Sequence, residues 1–155
     1  MVREILFRAK HTHAMDINEH LNGRWVEGYL SDKNYINDKN MEGEFLVDES
    51  TICRSSGLTD KNGKKIWEHD ILMCHGNPND LVKAVFGEFY VIDIQTYEKV
   101  DTVIGWHYEV IPTDAISKCE PFCYPMPLNQ NYVKRCEMEV VGNIFDNPEL
   151  LGGAK

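Results

Sequence analysis

Apolar and polar positions alternate with a period of two along much of this chain. In residues 103–111, "VIGWHYEVI", large apolar side chains alternate with Gly105, His107 and Glu109. The same alternation recurs in residues 136–145, "CEMEVVGNIF". Successive side chains of a β-strand point to opposite faces, so both patterns predict strands with one face buried and the other exposed.

Shorter β-rich runs predict further strands, and convincing helical patterns are nearly absent. These runs are Ile5–Ala9, Trp25–Leu30, Glu44–Val47, Ile71–His75, Val82–Phe86 and Phe89–Ile94. A short helical turn is predicted near the C-terminus in "DNPELLGG", with Asn147 as its side-chain cap and Pro148 in its first position. We expect this turn to hold Leu150 and Leu151 against the sheet. The pattern therefore predicts a mainly β protein with little helix.

A tight turn is predicted at Asp60-Lys61-Asn62-Gly63. Asp60 can accept hydrogen bonds from backbone N–H groups, and Gly63 can take a positive φ because it has no Cβ. We interpret Asp60, Gly63 and the nearby Asp70 as structural turn residues, with Asp70 binding turn amides.

Three segments of the chain together resemble the YopX-like family of phage and prophage proteins. They are "REILFRA" at 3–9, "SSGLTDKNGKKIWEHDIL" at 55–72 and "VVGNIFDNPELL" at 140–151. The family pattern has Thr, Tyr and Gly where this chain has Ser56, Trp67 and His69. The loss of Gly at His69 suggests that no special backbone angle is needed there.

The resemblance implies a β fold whose central and C-terminal part is similar to an SH3-type small barrel. With the strand pattern, it divides the chain into an N-terminal β-rich region, 1–54, and an SH3-like barrel region with a C-terminal helical turn, 55–155. It implies no established enzymatic activity, cofactor or binding residue.

Charge and composition narrow the classes of function. The 155 residues include 16 basic and 25 acidic side chains, a net charge of −9, with no basic tail or stripe. Nucleic-acid binding depends on Lys and Arg contacting phosphates, so a nucleic-acid partner is not expected. No stretch is apolar enough to span a bilayer, and the N-terminus does not resemble a signal peptide. We expect a cytoplasmic protein of a bacterial host cell with no membrane association.

The adjacent Glu68, His69 and Asp70 form the main catalytic candidate. A metal-assisted or His-dependent hydrolase could use His69 as a general base beside a carboxylate. On an extended segment, however, Glu68 and Asp70 point away from His69. We therefore predict a structural corner, no catalytic residues and no enzyme activity, and we keep the hydrolase as the alternative.

Metal binding is the second chemical hypothesis. Cys119 and Cys123 precede Cys136, and His11, His13 and His20 lie near the N-terminus. Zinc sites use about four ligands, usually from two closely spaced pairs, and only fragments of that pattern occur. The five cysteines are odd in number and irregularly spaced, which favours free thiols. We predict no metal and no cofactor, and we interpret the histidines as part of a polar loop.

Residues 111–132 differ from the rest because four prolines alternate with apolar side chains. Prolines disfavour a central strand, so this segment is either a packed connection or a loop that presents apolar anchors to a partner. Phe122, Tyr124 and Met126 are the candidate partner-binding residues. We expect a non-enzymatic accessory or regulatory binding protein whose partner is another protein or a second copy of the chain.

Overall fold

The computed structural model describes residues 5–12, 23–32, 34–38 and 43–152. Eleven strands and one short α-helix are present in these ranges. The strands are β1 (Phe7–Lys10), β2 (Trp25–Ser31), β3 (Tyr35–Asp38), β4 (Glu44–Leu46), β5 (Cys53–Thr59), β6 (Lys65–Trp67), β7 (Asp70–Met73), β8 (Leu81–Ile92), β9 (Lys99–Ile111), β10 (Met126–Pro127) and β11 (Glu139–Asn143), and the helix is α1 (Gln130–Arg135). The prediction of a mainly β protein is therefore confirmed.

The chain divides into two compact units, Met1–Ser55 and Ser56–Lys155. The sequence-based division falls between residues 54 and 55. In the first unit the strands are antiparallel in the order β4-β3-β2-β1-β5. Ala9, Val26, Ile36 and Val47 form its buried core.

The second unit contains an antiparallel sheet in the order β10-β9-β8-β7-β11, and β6 pairs with β5. Neither strand order returns to its first strand, so the described strands form open sheets. The long hairpin of β8 and β9 merges the two strands predicted at 82–86 and 89–94 into one. No helix within the described residues is long and apolar enough to cross a membrane.

The core of the second unit joins the β5–β6 hairpin to the sheet and to α1. Ile66 of β6 packs with Leu72, Val82 and Met138, and Val133 of α1 is buried in the same cluster. The sequence patterns did not predict α1. The side chain of Asn129 caps it by accepting a hydrogen bond from the N–H of Tyr132 at 2.9 Å.

The predicted C-terminal turn is present as a 3₁₀ turn at Pro148–Leu150, but its cap differs from the prediction. Asn147 makes no side-chain hydrogen bond to that turn. Its Oδ1 instead accepts from the N–H of Asn143 at 3.2 Å. Leu150 packs against the sheet, whereas Leu151 is partly exposed. The prediction that both leucines pack is wrong for Leu151, because the turn directs only Leu150 inward.

His107 is also buried, although the alternation of β9 placed it on the outer face. Its side chain is 1% exposed. The imidazole stacks on the ring of Phe89 with centroids 4.4 Å apart, and Nδ1 lies 3.1 Å from the carbonyl oxygen of Gly105. The prediction is wrong because the β8–β9 hairpin supplies an aromatic partner on that face.

Candidate functional site

A cavity of about 420 Å³ in the second unit is the candidate site. It is built from residues far apart in sequence. The turn between β7 and β8 contributes Cys74 and Asp80, β9 contributes Tyr108 and Val110, and α1 contributes Tyr132. Residues 112–125, which connect β9 to β10 and are called the 112–125 connection below, supply the remaining wall. This volume is typical of sites that hold a small ligand or a few side chains of a partner.

The inner wall of the cavity carries two phenols and two thiols. The hydroxyl oxygens of Tyr108 and Tyr132 are 2.9 Å apart and share a hydrogen bond. Burial, and then this hydrogen bond, raises the pKa of Tyr108 above its ordinary value. Burial likewise raises the pKa of Cys136, and it raises that of Cys74 to about 12. These groups are protonated near neutral pH, so neither thiol is activated as a nucleophile.

Three large apolar side chains that line the cavity are exposed to solvent. Ile94 at the end of the β8–β9 hairpin is 72% exposed, and Ile116 and Phe122 in the 112–125 connection are 64% and 62% exposed. Large apolar side chains grouped at one opening are a feature of interaction surfaces. We call Ile94, Ile116 and Phe122 the apolar rim.

The three predicted partner-binding residues occupy different surroundings. Phe122 belongs to the apolar rim. Met126 lines the cavity and lies in β10, where it pairs with Tyr108. The ring of Tyr124 packs against Tyr90 and Tyr97 of the β8–β9 hairpin, with centroids 6.5 and 6.2 Å away. The 112–125 connection is thus packed through Tyr124, and Met126 follows it in β10, while Phe122 is exposed.

The Glu68–His69–Asp70 corner does not line the cavity. Asp70 is 1% exposed, and its Oδ2 accepts a hydrogen bond from the N–H of Trp67 at 2.8 Å. The ring of His69 stands edge-on to Phe145 with centroids 5.9 Å apart. These contacts close the β6–β7 turn and pack it against the residues after β11.

The backbone of His69 contradicts the expectation drawn from the family pattern. Its φ is 71°, in the left-handed region that Gly adopts easily. The angle persists without Gly because two backbone hydrogen bonds hold the corner. The N–H of His69 donates to the carbonyl of Ala84 at 2.7 Å, and its carbonyl accepts from the N–H of Ile144 at 3.1 Å.

The predicted Asp60–Gly63 turn is held by the Asp60 carboxylate. Oδ1 accepts from the N–H groups of Asn62 and Lys64, at 2.8 and 2.9 Å. Gly63 has a φ of 82°. This backbone conformation is strained for any residue that carries a side chain.

No group of three or more His, Cys, Asp or Glu side chains within the described ranges could hold a metal ion. None of the five cysteines forms a disulfide bond. Cys119 is exposed, whereas Cys123 is half-buried beside a second, smaller cavity that His107 also lines. His11 is buried against the ring of Phe45, so the polar-loop interpretation is wrong for it. His13 and His20 lie outside the described residues.

Sequence reasoning did not identify the cavity residues Asp80, Asp114, Tyr108 and Tyr132 as a set. Asp80 follows β7, Asp114 lies in the 112–125 connection, and Tyr132 is in α1. No local spacing relates them. The N-cap Asn129 was the one sequence feature that could have revealed α1 and hence the place of Tyr132.

A family model described as YopX protein matches residues 6–152, nearly the whole chain. No curated protein matches the chain at a significant level.

Proposed function

The chain belongs to the YopX family, and we propose that it is an accessory or regulatory binding protein rather than an enzyme. The family resemblance supports an origin in a phage or prophage, with action in the cytoplasm of the bacterial host. A net charge of −9 favours a protein partner over a nucleic acid.

The apolar rim carries this proposal. Ile94, Ile116 and Phe122 are each more than half exposed, and all three border the same cavity. Exposed apolar side chains around a concave centre match the anatomy of interfaces, where a few buried anchors supply most of the binding energy. The 112–125 connection is the binding loop, with Phe122 as its main anchor and Met126 as part of the cavity wall.

Tyr124 has a supporting role in this proposal. Its contacts with Tyr90 and Tyr97 attach the connection to the β8–β9 hairpin. Holding the loop before binding lowers the conformational entropy that a partner must remove.

The chemistry of the cavity supports binding over catalysis. Burial raises the pKa values of Cys74, Cys136 and Tyr108 still further above neutrality, so neither thiol is activated as a nucleophile. The alternative, a hydrolase that uses Glu68, His69 and Asp70, requires a carboxylate that is available to orient His69 or to contact a substrate. Asp70 is 1% exposed and already accepts a hydrogen bond from Trp67.

We also propose that the second unit is an open relative of the SH3-type barrel. The support is that Ile66 of the β5–β6 hairpin shares one core with Leu72 of β7 and Val82 of β8. A short hairpin packed against a curved antiparallel sheet is the kind of arrangement on which small barrels carry binding loops, an analogy at the level of fold.

Site-specific photo-crosslinking in host cells tests the proposed function. A photo-reactive benzoylphenylalanine replaces Phe122 in one protein and Ile104 in another. Ile104 is the matched control because it is 73% exposed and does not line the cavity. We expect a discrete crosslinked protein from position 122 and none from position 104. Equal crosslinking from both positions, or none from either, would refute the binding role of this surface.

A further inference from the structure

Two carboxylates make the cavity described above favour a positively charged ligand. Asp80 and Asp114 both line it, and its described lining contains no Lys or Arg. Oδ1 of Asp114 accepts a hydrogen bond from the N–H of Ser117 at 2.8 Å, which fixes this carboxylate within the 112–125 connection. The connection is itself attached to the turn before β8 through a hydrogen bond from Thr113 Oγ1 to the carbonyl of Asn79.

The charge of Asp114 acts on the carboxylate of Asp80, and both side chains are half-buried. Burial raises the pKa of Asp80, the imidazole of His75 lowers it, and the neighbouring charge of Asp114 raises it again. His75 is shared with another acid, because its Nδ1 lies 3.9 Å from Oε2 of Glu137. A cation entering the cavity would offset the repulsion between the two aspartates.

Aromatic and aliphatic surface lies beside these charges. Phe122, Tyr108 and Tyr132 line the same cavity, together with Val82 and Met126. Lys and Arg side chains combine an apolar stem with a charged end, so they can bury the stem while the end remains near a carboxylate. A cation over the ring of Phe122 would be further stabilised by the charge distribution of the ring, whereas the guanidinium of Arg135 already stands over the ring of Tyr132, 5.0 Å from its centroid.

We infer that the cavity binds a segment of a partner protein in which a Lys or Arg neighbours a large apolar residue, with the cation at Asp80 and Asp114 and the apolar side chain at Phe122, Ile116 and Ile94. This inference rests on the proposed function, because it specifies the partner of the same surface. Complementary charge also predicts that binding weakens as salt is added.

Selection from a displayed library of random dodecapeptides against the full-length protein provides the test. Selection is run in parallel on the wild type, on the double variant Asp80→Asn/Asp114→Asn, and on Phe122→Ser. Asp101→Asn is the matched control, since Asp101 is exposed and lies outside the cavity. Thermal melting establishes that each variant is folded before selection.

We expect the wild type and Asp101→Asn to enrich peptides that place Lys or Arg beside a large apolar residue. The double variant should lose the basic preference and bind the best such peptide at least about tenfold more weakly at low salt. Phe122→Ser should enrich none of these peptides. If the double variant unfolds, binding of the best peptide to the wild type is measured instead at increasing concentrations of NaCl. Binding that does not weaken with salt would overturn the inference.

The other outcomes separate this inference from the proposed function. Enrichment of apolar peptides without a basic preference, still lost in Phe122→Ser, would overturn the inference and leave the proposed function standing. Enrichment unaffected by Phe122→Ser would overturn both, as would the absence of any enrichment by a wild type that also does not self-associate. Self-association of the wild type that Phe122→Ser abolishes, with no peptide enriched, would place a second copy in the cavity and overturn the inference.

Discussion

Asp60 Oδ2 accepts a hydrogen bond from the backbone N–H of Val140 at 2.9 Å, although the two residues are 80 positions apart. The other oxygen of the same carboxylate holds the turn that ends at Gly63. One buried side chain therefore joins two of the three segments that carry the family resemblance, the Asp60–Gly63 turn and the first residues of β11. Lys61 strengthens the link, because its N–H donates to the carbonyl of Met138 at 3.0 Å.

Replacing Asp60 should destabilise the second unit. Asp60→Ala leaves the N–H groups of Asn62, Lys64 and Val140 without their acceptor, and Asp60 is 6% exposed. Each buried donor left unsatisfied costs about 1–3 kcal/mol, less where water can reach it. We expect a loss of at least about 2 kcal/mol in the free energy of unfolding, measured by urea denaturation. Unchanged unfolding would mean that the turn and β11 are not coupled through Asp60.

The same carboxylate should make stability depend on acid pH. Burial acts to raise the pKa of Asp60, but the N–H groups of Val140, Lys64 and Asn62 outweigh it, so the pKa is lowered. A lowered folded-state pKa contributes stability that is full above the unfolded value, about 3.9, and is lost as the pH falls through the folded value. Asp60→Asn should flatten the stability curve below about pH 4. Parallel curves for the variant and the wild type would contradict this assignment.

Gly63 tests the geometry of the turn. Its φ is 82°, and nothing lies within 4 Å of where a Cβ would stand, so backbone strain alone decides the cost of a side chain. Gly63→Val should lower the free energy of unfolding by about 1 kcal/mol or more, whereas Gly63→Asn should cost less because Asn tolerates the left-handed region. Thermal melting of both variants provides the measurement, and equal melting temperatures for the two would be inconsistent with a left-handed turn.

Substitutions of His69 should change stability in the same way as those of Gly63, because the φ of His69 is also positive. Its φ of 71° is fixed by the two backbone hydrogen bonds of the corner. His69→Val should therefore be less stable than His69→Asn, because a β-branched side chain is strained in the left-handed region. Both changes remove the ring contact with Phe145, so that loss cancels in the comparison. Greater stability of His69→Val, measured by chemical denaturation, would show that the corner relaxes to another angle.

The cysteines should differ sharply in reactivity. Burial raises the pKa of Cys74 to about 12, and Cys74 is 5% exposed, whereas Cys119 is exposed. Alkylation requires an accessible thiolate. Iodoacetamide at pH 8 should modify Cys119 in the folded protein and reach Cys74 only after denaturation, which peptide mass spectrometry can follow. Early modification of Cys74 in folded protein would show that the cavity wall opens.

The strands could be predicted because alternation of side chains is a local property. The patterns at 103–111 and 136–145 correspond to β9 and to β11 with the residues before it. What covers a strand face is not local, which is why the burial of His107 against Phe89 was missed. α1 was missed because six residues offer too few turns to show a helical period.

The candidate site was predicted in part. The composition of residues 111–132 pointed to Phe122 and Met126, which border the cavity. The cavity itself depends on how the turn between β7 and β8, β9, α1 and the 112–125 connection come together, and no sequence spacing encodes that arrangement. The partners of Asp80 and Tyr108 follow from tertiary packing alone.

The most direct test of partner binding through the apolar rim is quantitative affinity capture with matched variants. Tagged wild type, the double variant Ile116→Ser/Phe122→Ser and the control Ile104→Ser are expressed in host cells, and the retained proteins are quantified by mass spectrometry. The rim residues and Ile104 are all exposed, so each variant should melt like the wild type. We predict that a specific partner is retained by the wild type and Ile104→Ser and lost from the double variant. Full retention of every partner by a folded double variant would contradict the binding role of this surface.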